Sequence, residues 1–587
     1  MKKILFLILI LLSAWILGAC KPTIDPNGED PNGEEPNGEE PNGEEPNEDI
    51  EAQIQSLLDE MTLEDKVGQM FMVGFEGTEV PFSLMQAIDG ARFGNFIYFG
   101  ANVADDSKVA SMSREIQNKV VSSLGIPAFI SMDQEGGMVV RFAGEATHFI
   151  GNMALAATKD SHNAYLVGQY EGMELRHFGI NTNLAPVLDV NNNPNNPIIG
   201  VRSYSDQADV VSSFGLQMIE GLRSSQVMAT VKHFPGHGDT SIDSHYGLPM
   251  IPHDLERLYQ VELAPFIDAI EAGVDTIMSA HIIFSAIDPD YPATLSKKVL
   301  TELLRETLGF EGLIMTDEMR MSAIRDNFSA GEAAVLAVLA GVDILLYAES
   351  TSTSLQALQG VLDALDDGTL TESRIDESVR RILRKKFKFG LFEDYLPREN
   401  VTLQEFEAHR NWNQSLVEES ITMPFGNVDW FDKNGRTLLI STVCTRYPLK
   451  TGYQINTTNN SLAIVGGNYL YHEGVSDVDT RVIGTTLTST QINNIVNDAK
   501  EYDQVIIAVE NVSSSQASLV NLLAMEDFNL LVAALRNPYD INSYQGVENY
   551  VCTYGYFQSS VQALMDLLLG KFNPTGKLPV SIAALSQ

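Results

Sequence analysis

Eight short apolar runs, separated by amphipathic stretches, occupy the first 350 residues or so and limit the folds open to this chain. Stretches with helical periodicity lie between them, including Ala104–Val121, Ala164–His177 and Leu255–Ala272. Strands that alternate with helices are typical of parallel sheets. Eight such units predict an α/β fold of the (β/α)8 TIM-barrel type over residues 51–390. The apolar runs are 67–74, 94–99, 128–132, 180–187, 227–232, 274–280, 312–316 and 342–347.

A doubly wound open sheet is the alternative fold for this pattern. Such a sheet binds its ligand at one or two strand–helix turns, where a glycine-rich motif commonly lies. We find no GxGxxG motif between a strand and a helix in this sequence. The barrel is therefore the favoured fold.

Charged and histidine residues follow the apolar runs at the positions where barrel strands would end. Active sites of such barrels lie at the carboxyl ends of the strands, so we expect these side chains to meet at one mouth. Surface charges scattered at random would not follow strand ends so regularly. The residues are Asp133 and Arg141 after the third run, Asp189 and Arg202 after the fourth, Lys232, His233 and His237 at the fifth, His281 after the sixth and Asp317 after the seventh.

Two sets of residues could carry acid–base or covalent chemistry. Asp317 closes an apolar strand, so its carboxylate could attack a carbon atom or stabilise a cation; capping the next helix is the structural alternative. Asp243 and His245 lie two residues apart, a spacing that suits a carboxylate orienting an imidazole for proton transfer. A solvated loop is the alternative for that pair.

Metal binding is a further possibility at His233, His237 and His245, since three histidines with acids nearby could hold zinc. Glycine and proline interrupt this segment, however, so no helix presents the three rings on one face. We therefore predict neither a metal nor a cofactor. The dense donors and acceptors of Asp133 and the neighbouring cations suggest a polyhydroxylated ligand, with phosphate as the alternative; those cations are Arg141, Arg202 and Lys232.

Three segments carry a family resemblance: DQEGGMVVR (Asp133–Arg141), KHFPGHGDTSIDSH (Lys232–His245) and MTDEMRMSAI (Met315–Ile324). Together they resemble glycoside hydrolase family 3, and more narrowly its bacterial β-N-acetylglucosaminidase branch. The resemblance covers about residues 55–390. It continues more loosely through two segments, Leu535–Asp540 and Gly576–Val580, that look like the second domain of that family.

The resemblance implies a role for each matched residue. Asp317 corresponds to the catalytic nucleophile, His245 to the general acid/base and Asp243 to the residue that orients it. The implied reaction is retaining hydrolysis of terminal β-linked N-acetylglucosamine from peptidoglycan fragments, through a glycosyl ester of Asp317. Another β-glycosidase of the family, such as a β-glucosidase or β-xylosidase, and a phosphorylase remain the alternatives. The sugar-binding positions correspond to Asp133, Arg141, Arg202, Lys232 and His233.

The N-terminus indicates export. Residues 1–19 combine two lysines with an apolar run, and Leu17–Cys20 resembles a bacterial lipobox that would acylate Cys20; an ordinary signal peptide is the alternative. Residues 20–50 form an acidic tether with three copies of PNGEE. We therefore predict a lipid-anchored extracytoplasmic protein, of a Gram-positive bacterium in view of the tether. The formal charge of −40 argues against nucleic acid as a partner.

The C-terminal third predicts a smaller α/β sandwich at 416–587 after a linker at 391–415. We find no catalytic cluster there, and we expect a monomer. Cys444 and Cys552 could pair or remain free thiols. The basic run within 375–387 is expected to be a solvated helix face. The expected strands are 437–442, 461–465 and 504–510, and the expected helices 490–501, 516–536 and 558–570.

Overall fold

The computed structural model describes residues 48–142, 144, 146–241, 247–349, 352–443 and 461–585. From Asp49 onwards these residues belong to one compact unit. No helix among these ranges combines the length and the apolarity needed to cross a membrane. Several sequence predictions concern residues outside the described ranges: the leader, Cys20, nearly all of the tether, Asp243, His245 and Cys444.

Eight parallel strands form a nearly closed barrel, which confirms the predicted fold. The strands of this half are β1 (Phe71–Val73), β2 (Asn95–Tyr98), β3 (Phe129–Met132), β4 (Thr182–Asn183), β5 (Met228–Phe234), β6 (Met250–Ile251), β7 (Thr276–Ser279), β8 (Ile283–Phe284), β9 (Leu313–Thr316) and β10 (Leu345–Tyr347). Their order around the barrel is β10-β1-β2-β3-β4-β5-β7-β9, and a parallel bridge between Met315 and Ile344 links the two ends. The short strands β6 and β8 pair separately.

Helices follow the barrel strands as the periodicity predicted, with one difference. The stretch from Leu255 to Ala272 contains two helices, because the first ends before Val261 and the next begins at Ala264, with Pro265 in its first turn, where proline is tolerated. A π-helix (Lys298–Thr307) precedes β9. The α-helices are α1 (Glu48–Glu60), α2 (Leu63–Gln69), α3 (Phe82–Gly90), α4 (Asp106–Leu124), α5 (Asn152–Ala157), α6 (His162–His177), α7 (Ala208–Ser224), α8 (Leu255–Gln260), α9 (Ala264–Glu271), α10 (Ser322–Arg325), α11 (Ala330–Ala340), α12 (Ser352–Asp366) and α13 (Glu372–Lys388).

The basic residues of α13 are not a solvated face, contrary to the prediction. They contact two buried aspartates that precede barrel strands: Lys385 and Lys388 lie 2.7 and 2.8 Å from Asp275, and Arg381 lies 3.1 Å from Asp343. Lys386 is completely buried. These contacts stabilise the end of the barrel opposite the strand ends that carry the candidate site.

A six-stranded mixed sheet forms the second half of the chain, confirming the smaller α/β domain. Its order is β11-β16-β15-β14-β12-β13, with only β11 antiparallel to its neighbour. Its strands are β11 (Thr422–Phe425), β12 (Thr437–Thr442), β13 (Val478–Ile483), β14 (Gln504–Val509), β15 (Asn529–Ala534) and β16 (Tyr550–Cys552). Its helices are α14 (Leu403–Ser420), α15 (Leu462–His472), α16 (Ser489–Ala499), α17 (Ser514–Leu523) and α18 (Gln558–Leu568).

Two local predictions in this half were wrong. Residues 461–465, expected as a strand, begin α15, because the Ser461 hydroxyl caps the helix by accepting the N–H of Ile464. The helix expected over 516–536 ends at Leu523, and the apolar run that follows is strand β15. Helix α14 occupies much of the linker expected at 391–415, whereas the domain boundaries themselves stay predictions. Cys552 is a buried free thiol.

The last residues of the chain return to the barrel. The Lys577 N–H donates to Ala157 O at 2.9 Å, and the Ser581 N–H donates to the Asp206 carboxylate at 2.8 Å. The Ser205 hydroxyl donates to Pro579 O. The C-terminal segment is thus hydrogen bonded to loops more than 370 residues earlier in the chain.

Asp540, a buried carboxyl of the second domain, should make stability depend on pH. Burial raises its pKa from 3.8 to about 7, and Glu510 adds to the rise, although the Val512 N–H opposes it. Because the pKa of Asp540 is higher in the folded state than in the unfolded state, the folded protein favours the protonated carboxyl. The stability that depends on this protonation is fully present below about pH 4 and is lost as the pH rises through about 7. In urea unfolding, we expect the free energy of unfolding of Asp540→Asn, relative to wild type, to rise by about 3 kcal/mol from pH 5 to pH 8. Parallel curves for the two proteins, as expected for the exposed control Asp527→Asn, would contradict this.

Candidate active site

The predicted site residues that the structure describes lie at the carboxyl ends of the barrel strands. Asp133 directly follows β3, Lys232 and His233 lie near the end of β5, and Asp317 directly follows β9. Arg141 and Arg202 reach the same region from the loops after β3 and β4. The spatial grouping expected for these residues is therefore present, and the roles of the individual residues stay predictions.

A network of ion pairs joins the cations of the site. Lys232 Nζ lies 2.9 Å from Asp133 Oδ1 and 2.6 Å from Glu135 Oε1. The Arg202 guanidinium donates two hydrogen bonds to Glu135, both at 2.8 Å, and Arg141 Nη2 lies 2.7 Å from Asp133 Oδ2. We call these five residues the ion-pair network. Each of its carboxylates contacts two cations, and the three cations exceed the two carboxylates by one positive charge.

Burial and charge act in opposite directions on the acids of the ion-pair network. Burial alone would raise their pKa values, but the cations outweigh it. Lys232 and Arg141 hold the pKa of Asp133 far below its usual value, and Arg202 and Lys232 lower the pKa of Glu135 to about 2. Both carboxylates are therefore ionised at neutral pH and fixed as hydrogen-bond acceptors.

The glycines of the DQEGG segment allow Glu135 to reach Lys232. Gly136 and Gly137 have φ angles of +77° and +53°, a region that disfavours other residues. A side chain at Gly136 would also lie 2.5 Å from Ile150 O. The turn that follows Glu135 therefore needs glycine for both its conformation and its close packing.

Asp189 fixes the histidine segment after β5. Its Oδ2 lies 2.7 Å from His233 Nδ1, and its Oδ1 accepts the backbone N–H groups of His233 and His237 at 3.1 and 2.7 Å. The Asp189 side chain is fully buried. The carboxylate thus orients the His233 ring so that its other nitrogen is available to the site.

Asp317 is half-buried beside imidazole groups. Its Oδ1 accepts the Glu318 N–H at 2.7 Å. Burial would raise its pKa, but nearby His233 and His281, together with that hydrogen bond, lower it below the usual value. The Asp317 carboxylate is therefore ionised at neutral pH, as a nucleophile requires.

The adjacent acid, Glu318, serves a structural purpose instead. Its Oε1 accepts hydrogen bonds from Arg320 Nε at 2.9 Å and from the Ala348 N–H at 3.0 Å. Its backbone oxygen lies 3.1 Å from His281 Nε2, which joins the loops after β7 and β9. Glu318 therefore braces the segment that carries Asp317.

The metal-binding alternative gains no support at His233 and His237. Their rings lie 5.8 Å apart in an edge-on arrangement, and His237 Nδ1 lies 3.1 Å from the Thr240 hydroxyl. Burial lowers the pKa of His237 to about 4. Within the described ranges no third metal ligand joins these two rings.

Sequence reasoning assigned no role to three residues of this region. Glu135 lies inside a motif that was recognised, but its two cationic partners are 67 and 97 residues away, a separation that no local pattern reveals. Asp189 and His281 were noted only as following strands. Their proximity to His233 and Asp317 depends on closure of the barrel.

The arrangement suits a neutral ligand with many hydroxyl groups. The ion-pair network holds three cations and two carboxylates, so it keeps one positive charge in excess, and phosphate stays an alternative ligand. Fixed carboxylate acceptors and guanidinium donors match the hydroxyl groups of a sugar. The ionised carboxylate of Asp317 lies beside these groups.

A polar cavity of about 230 Å³ lies between the loop after β4 and the second domain. Asn196 lines it and donates to His237 O and Gly238 O, both at 2.8 Å, so the cavity wall contacts the histidine segment. From the second domain, Arg536 and Tyr539 contribute to the lining. The cavity therefore adjoins the segment that follows β5.

Comparisons with known proteins agree with this geometry. The model for "Glycosyl hydrolase family 3 N terminal domain" matches residues 62–385. Beta-hexosaminidase A of Pseudoalteromonas piscicida is 30% identical over 86% of this chain and 92% of its own length. A beta-N-acetylglucosaminidase/beta-glucosidase of Cellulomonas fimi is 29% identical over 58% of this chain and 60% of its own length. Among solved structures, a glycoside hydrolase family 3 beta-N-acetylglucosaminidase from Paenibacillus sp. str. FPU-7 has a TM-score of 0.80 and 37% identity, covering 89% of this chain and 99% of that chain.

Proposed function

The chain belongs to glycosyl hydrolase family 3, and on that premise we propose that it is a retaining exo-β-N-acetylglucosaminidase. The main observation behind the proposal is the ionised Asp317 beside the ion-pair network at the barrel mouth. The names of the Pseudoalteromonas and Paenibacillus relatives support the N-acetylglucosaminide preference.

The proposed reaction proceeds by two displacements. Asp317 attacks the anomeric carbon and forms a glycosyl ester, while His245 gives its proton to the departing oxygen. Water then attacks the same carbon and gives a proton to His245, and Asp317 leaves as a carboxylate. Two inversions at one carbon release N-acetylglucosamine with its β configuration retained. Asp243 would orient the His245 ring.

Sugar binding would rest on the ion-pair network. Asp133 and Arg141 border the site from the loop after β3, and Lys232 lies between the two carboxylates of the network. Their positions are fixed before substrate arrives, so little rearrangement opposes binding. Arg202 and His233 would complete the set of hydrogen-bonding partners.

One comparison of substrates tests this activity. Purified protein should hydrolyse an aryl β-N-acetylglucosaminide much faster than the matching aryl β-glucoside. Preference for the glucoside would favour another β-glycosidase of the family, a candidate supported by the double name of the Cellulomonas relative. Adding phosphate and analysing the product distinguishes free N-acetylglucosamine from its 1-phosphate, the product of a phosphorylase.

For the natural substrate we propose peptidoglycan fragments with a terminal β-linked N-acetylglucosamine. The predicted export signal would place the enzyme beside the cell wall, and the cavity near Asn196 adds room next to the segment after β5. Hydrolysis of N-acetylglucosaminyl-N-acetylmuramic acid, with and without a stem peptide, should therefore exceed hydrolysis of chitobiose in kcat/KM. A preference for chitobiose would assign the enzyme to chitin fragments instead.

His245→Ala should impair substrates according to their leaving groups. A departing alkoxide needs the proton of an acid, whereas an activated phenolate does not. We expect kcat/KM to fall by about 10²–10⁴ for a disaccharide but by much less for a dinitrophenyl glycoside. Equal losses for both substrates would exclude His245 as the acid. His162→Ala, at an exposed histidine of α6, is the matched control and should leave both rates unchanged.

Membrane attachment is proposed to depend on Cys20, through acylation after cleavage of the leader. Acyl chains bind a protein to a bilayer surface without a spanning helix. In a bacterial host, the wild-type chain should enter the detergent phase of a phase-separation assay, while Cys20→Ala should be released into the aqueous phase as a monomer. Equal partitioning of both proteins would argue against the anchor.

A further inference from the structure

Three potential metal ligands converge outside the ion-pair network. Asp239, His253 and Glu262 each present a ligand atom, and these atoms all lie within 4.8 Å of one another. His253 Nε2 lies 2.7 Å from Asp239 Oδ2. We call these residues the Asp–His–Glu cluster. It differs from the histidine set considered from the sequence, which consisted of His233, His237 and His245.

Each member of the cluster is held by a different element. Asp239 lies in the loop after β5, His253 follows β6, and Glu262 lies between α8 and α9. Glu262 is 1% exposed, and its Oε1 accepts a hydrogen bond from Asn192 Nδ2 at 2.8 Å. An outer residue that orients a ligating carboxylate in this way is typical of metal sites.

Two carboxylates and one imidazole form the donor set. Arg257 lies 3.3 Å from Glu262 and compensates one negative charge, so one carboxylate charge remains for a cation. Mixed nitrogen and oxygen donors suit Zn²⁺, whereas Ca²⁺ and Mg²⁺ prefer oxygen ligands alone. We propose that the Asp–His–Glu cluster binds one Zn²⁺ ion, with a water molecule as the fourth ligand.

Binding requires the side chains to adjust, because their ligand atoms, which lie within 4.8 Å of one another, must reach the spacing of a zinc coordination sphere. Donors around tetrahedral Zn²⁺ lie about 2.0–2.1 Å from the metal and so roughly 3.3 Å from each other. Asp239 and His253 would separate by about 0.6 Å from their present hydrogen-bonded distance. Their side chains are 27% and 30% exposed, so solvent and neighbouring space can accommodate this shift.

The site would join two ends of a functionally important stretch. Residues 240–252 lie between Asp239 and His253 and include Asp243 and His245, the pair on which the proposed function rests for proton transfer. A cation held at both ends of that stretch would couple metal occupancy to catalysis. The metal itself takes no part in the proposed chemistry.

Equilibrium dialysis of the metal-free full chain against Zn²⁺, with elemental analysis, tests the site. We expect about one Zn²⁺ per chain, and an affinity at least about tenfold weaker in His253→Ala and in Asp239→Asn. His162→Ala, which removes an exposed histidine elsewhere, should bind like wild type, and so should His245→Ala. Zn²⁺ should also raise the Tm of wild type but not that of His253→Ala. Ca²⁺ and Mg²⁺ should not compete.

Several results would overturn the site. One is that the wild-type protein binds no Zn²⁺, and another is that the cluster variants bind Zn²⁺ as tightly as wild type does. Either result would mean that the Asp239–His253 contact is only an ion pair. Loss of binding in His245→Ala would move the site into the catalytic segment. Asp317→Asn separates this inference from the proposed function, because it should be inactive and still bind Zn²⁺ with wild-type affinity.

Discussion

Asp317→Asn is expected to lower the kcat of aryl N-acetylglucosaminide hydrolysis by at least about 10⁴-fold while the protein stays folded. The amide is nearly isosteric with the carboxylate and can still accept the Glu318 N–H, but it cannot form the glycosyl ester. The loss should therefore appear in kcat for every leaving group, unlike the selective loss expected for His245→Ala. Steady-state kinetics with two aryl glycosides of different leaving-group pKa measure it.

The matched control is Asp326→Asn, at an exposed aspartate nine residues after Asp317. The ion pair described for Asp326 is with the neighbouring Arg325. That change should leave kcat within about twofold, as surface substitutions usually do. A second readout identifies the nucleophile: azide should restore turnover to Asp317→Gly and yield the α-glycosyl azide. Asp317→Asn with more than a few per cent of wild-type activity would contradict the assignment.

Lys232→Met should cost both stability and activity, because Lys232 is the cation shared by the buried Glu135 and the half-buried Asp133. Methionine fills a similar volume but leaves Asp133 and Glu135 with one guanidinium each. Removing one partner from a buried ion pair typically costs about 3–5 kcal/mol. We expect a loss of that order in the free energy of unfolding at pH 7, measured by urea titration, and kcat/KM reduced by more than about 100-fold.

The pH dependence of stability distinguishes this explanation from simple packing damage. The pKa of Glu135 is lowered from 4.5 to about 2, so its stabilisation is present above pH 4.5 and is lost as the pH falls towards 2. In Lys232→Met the pKa of Glu135 should rise, and acid unfolding should begin at higher pH. Lys108→Met, at an exposed lysine paired with Glu79, is the control and should match wild type. The same acid midpoint in all three proteins would contradict the argument.

The barrel could be predicted from the sequence because each unit repeats the same simple pattern. Buried parallel strands read as apolar runs, and amphipathic helices separate them, so the eight runs correspond to eight strands. The second domain was harder. The runs at 461–465 and 529–534 are both apolar after their first residues, Ser461 and Asn529, and periodicity cannot distinguish a buried strand from a buried helix over four or five residues.

The candidate site, like the fold, could be predicted from the sequence only in part. Residues that follow strands, such as Asp133 and Asp317, could be placed at the barrel mouth from chain position alone. Partnerships across the barrel could not be predicted, because the contact between Lys232 and Glu135 depends on how β3 and β5 each pair with β4 between them. The Asp–His–Glu cluster has no motif spacing, since its members belong to three separate elements.

The C-terminal segment that returns to the barrel has a consequence for how the protein assembles. Ribosomes complete the barrel strands first, yet the loops at Ala157 and Asp206 receive their partners only when the final residues emerge. Contact between the C-terminal segment and these loops therefore forms only after both domains have been synthesised. A chain truncated before Gly576 would retain every proposed catalytic residue but would lack these contacts. We therefore expect the truncated enzyme to be less stable than the full chain.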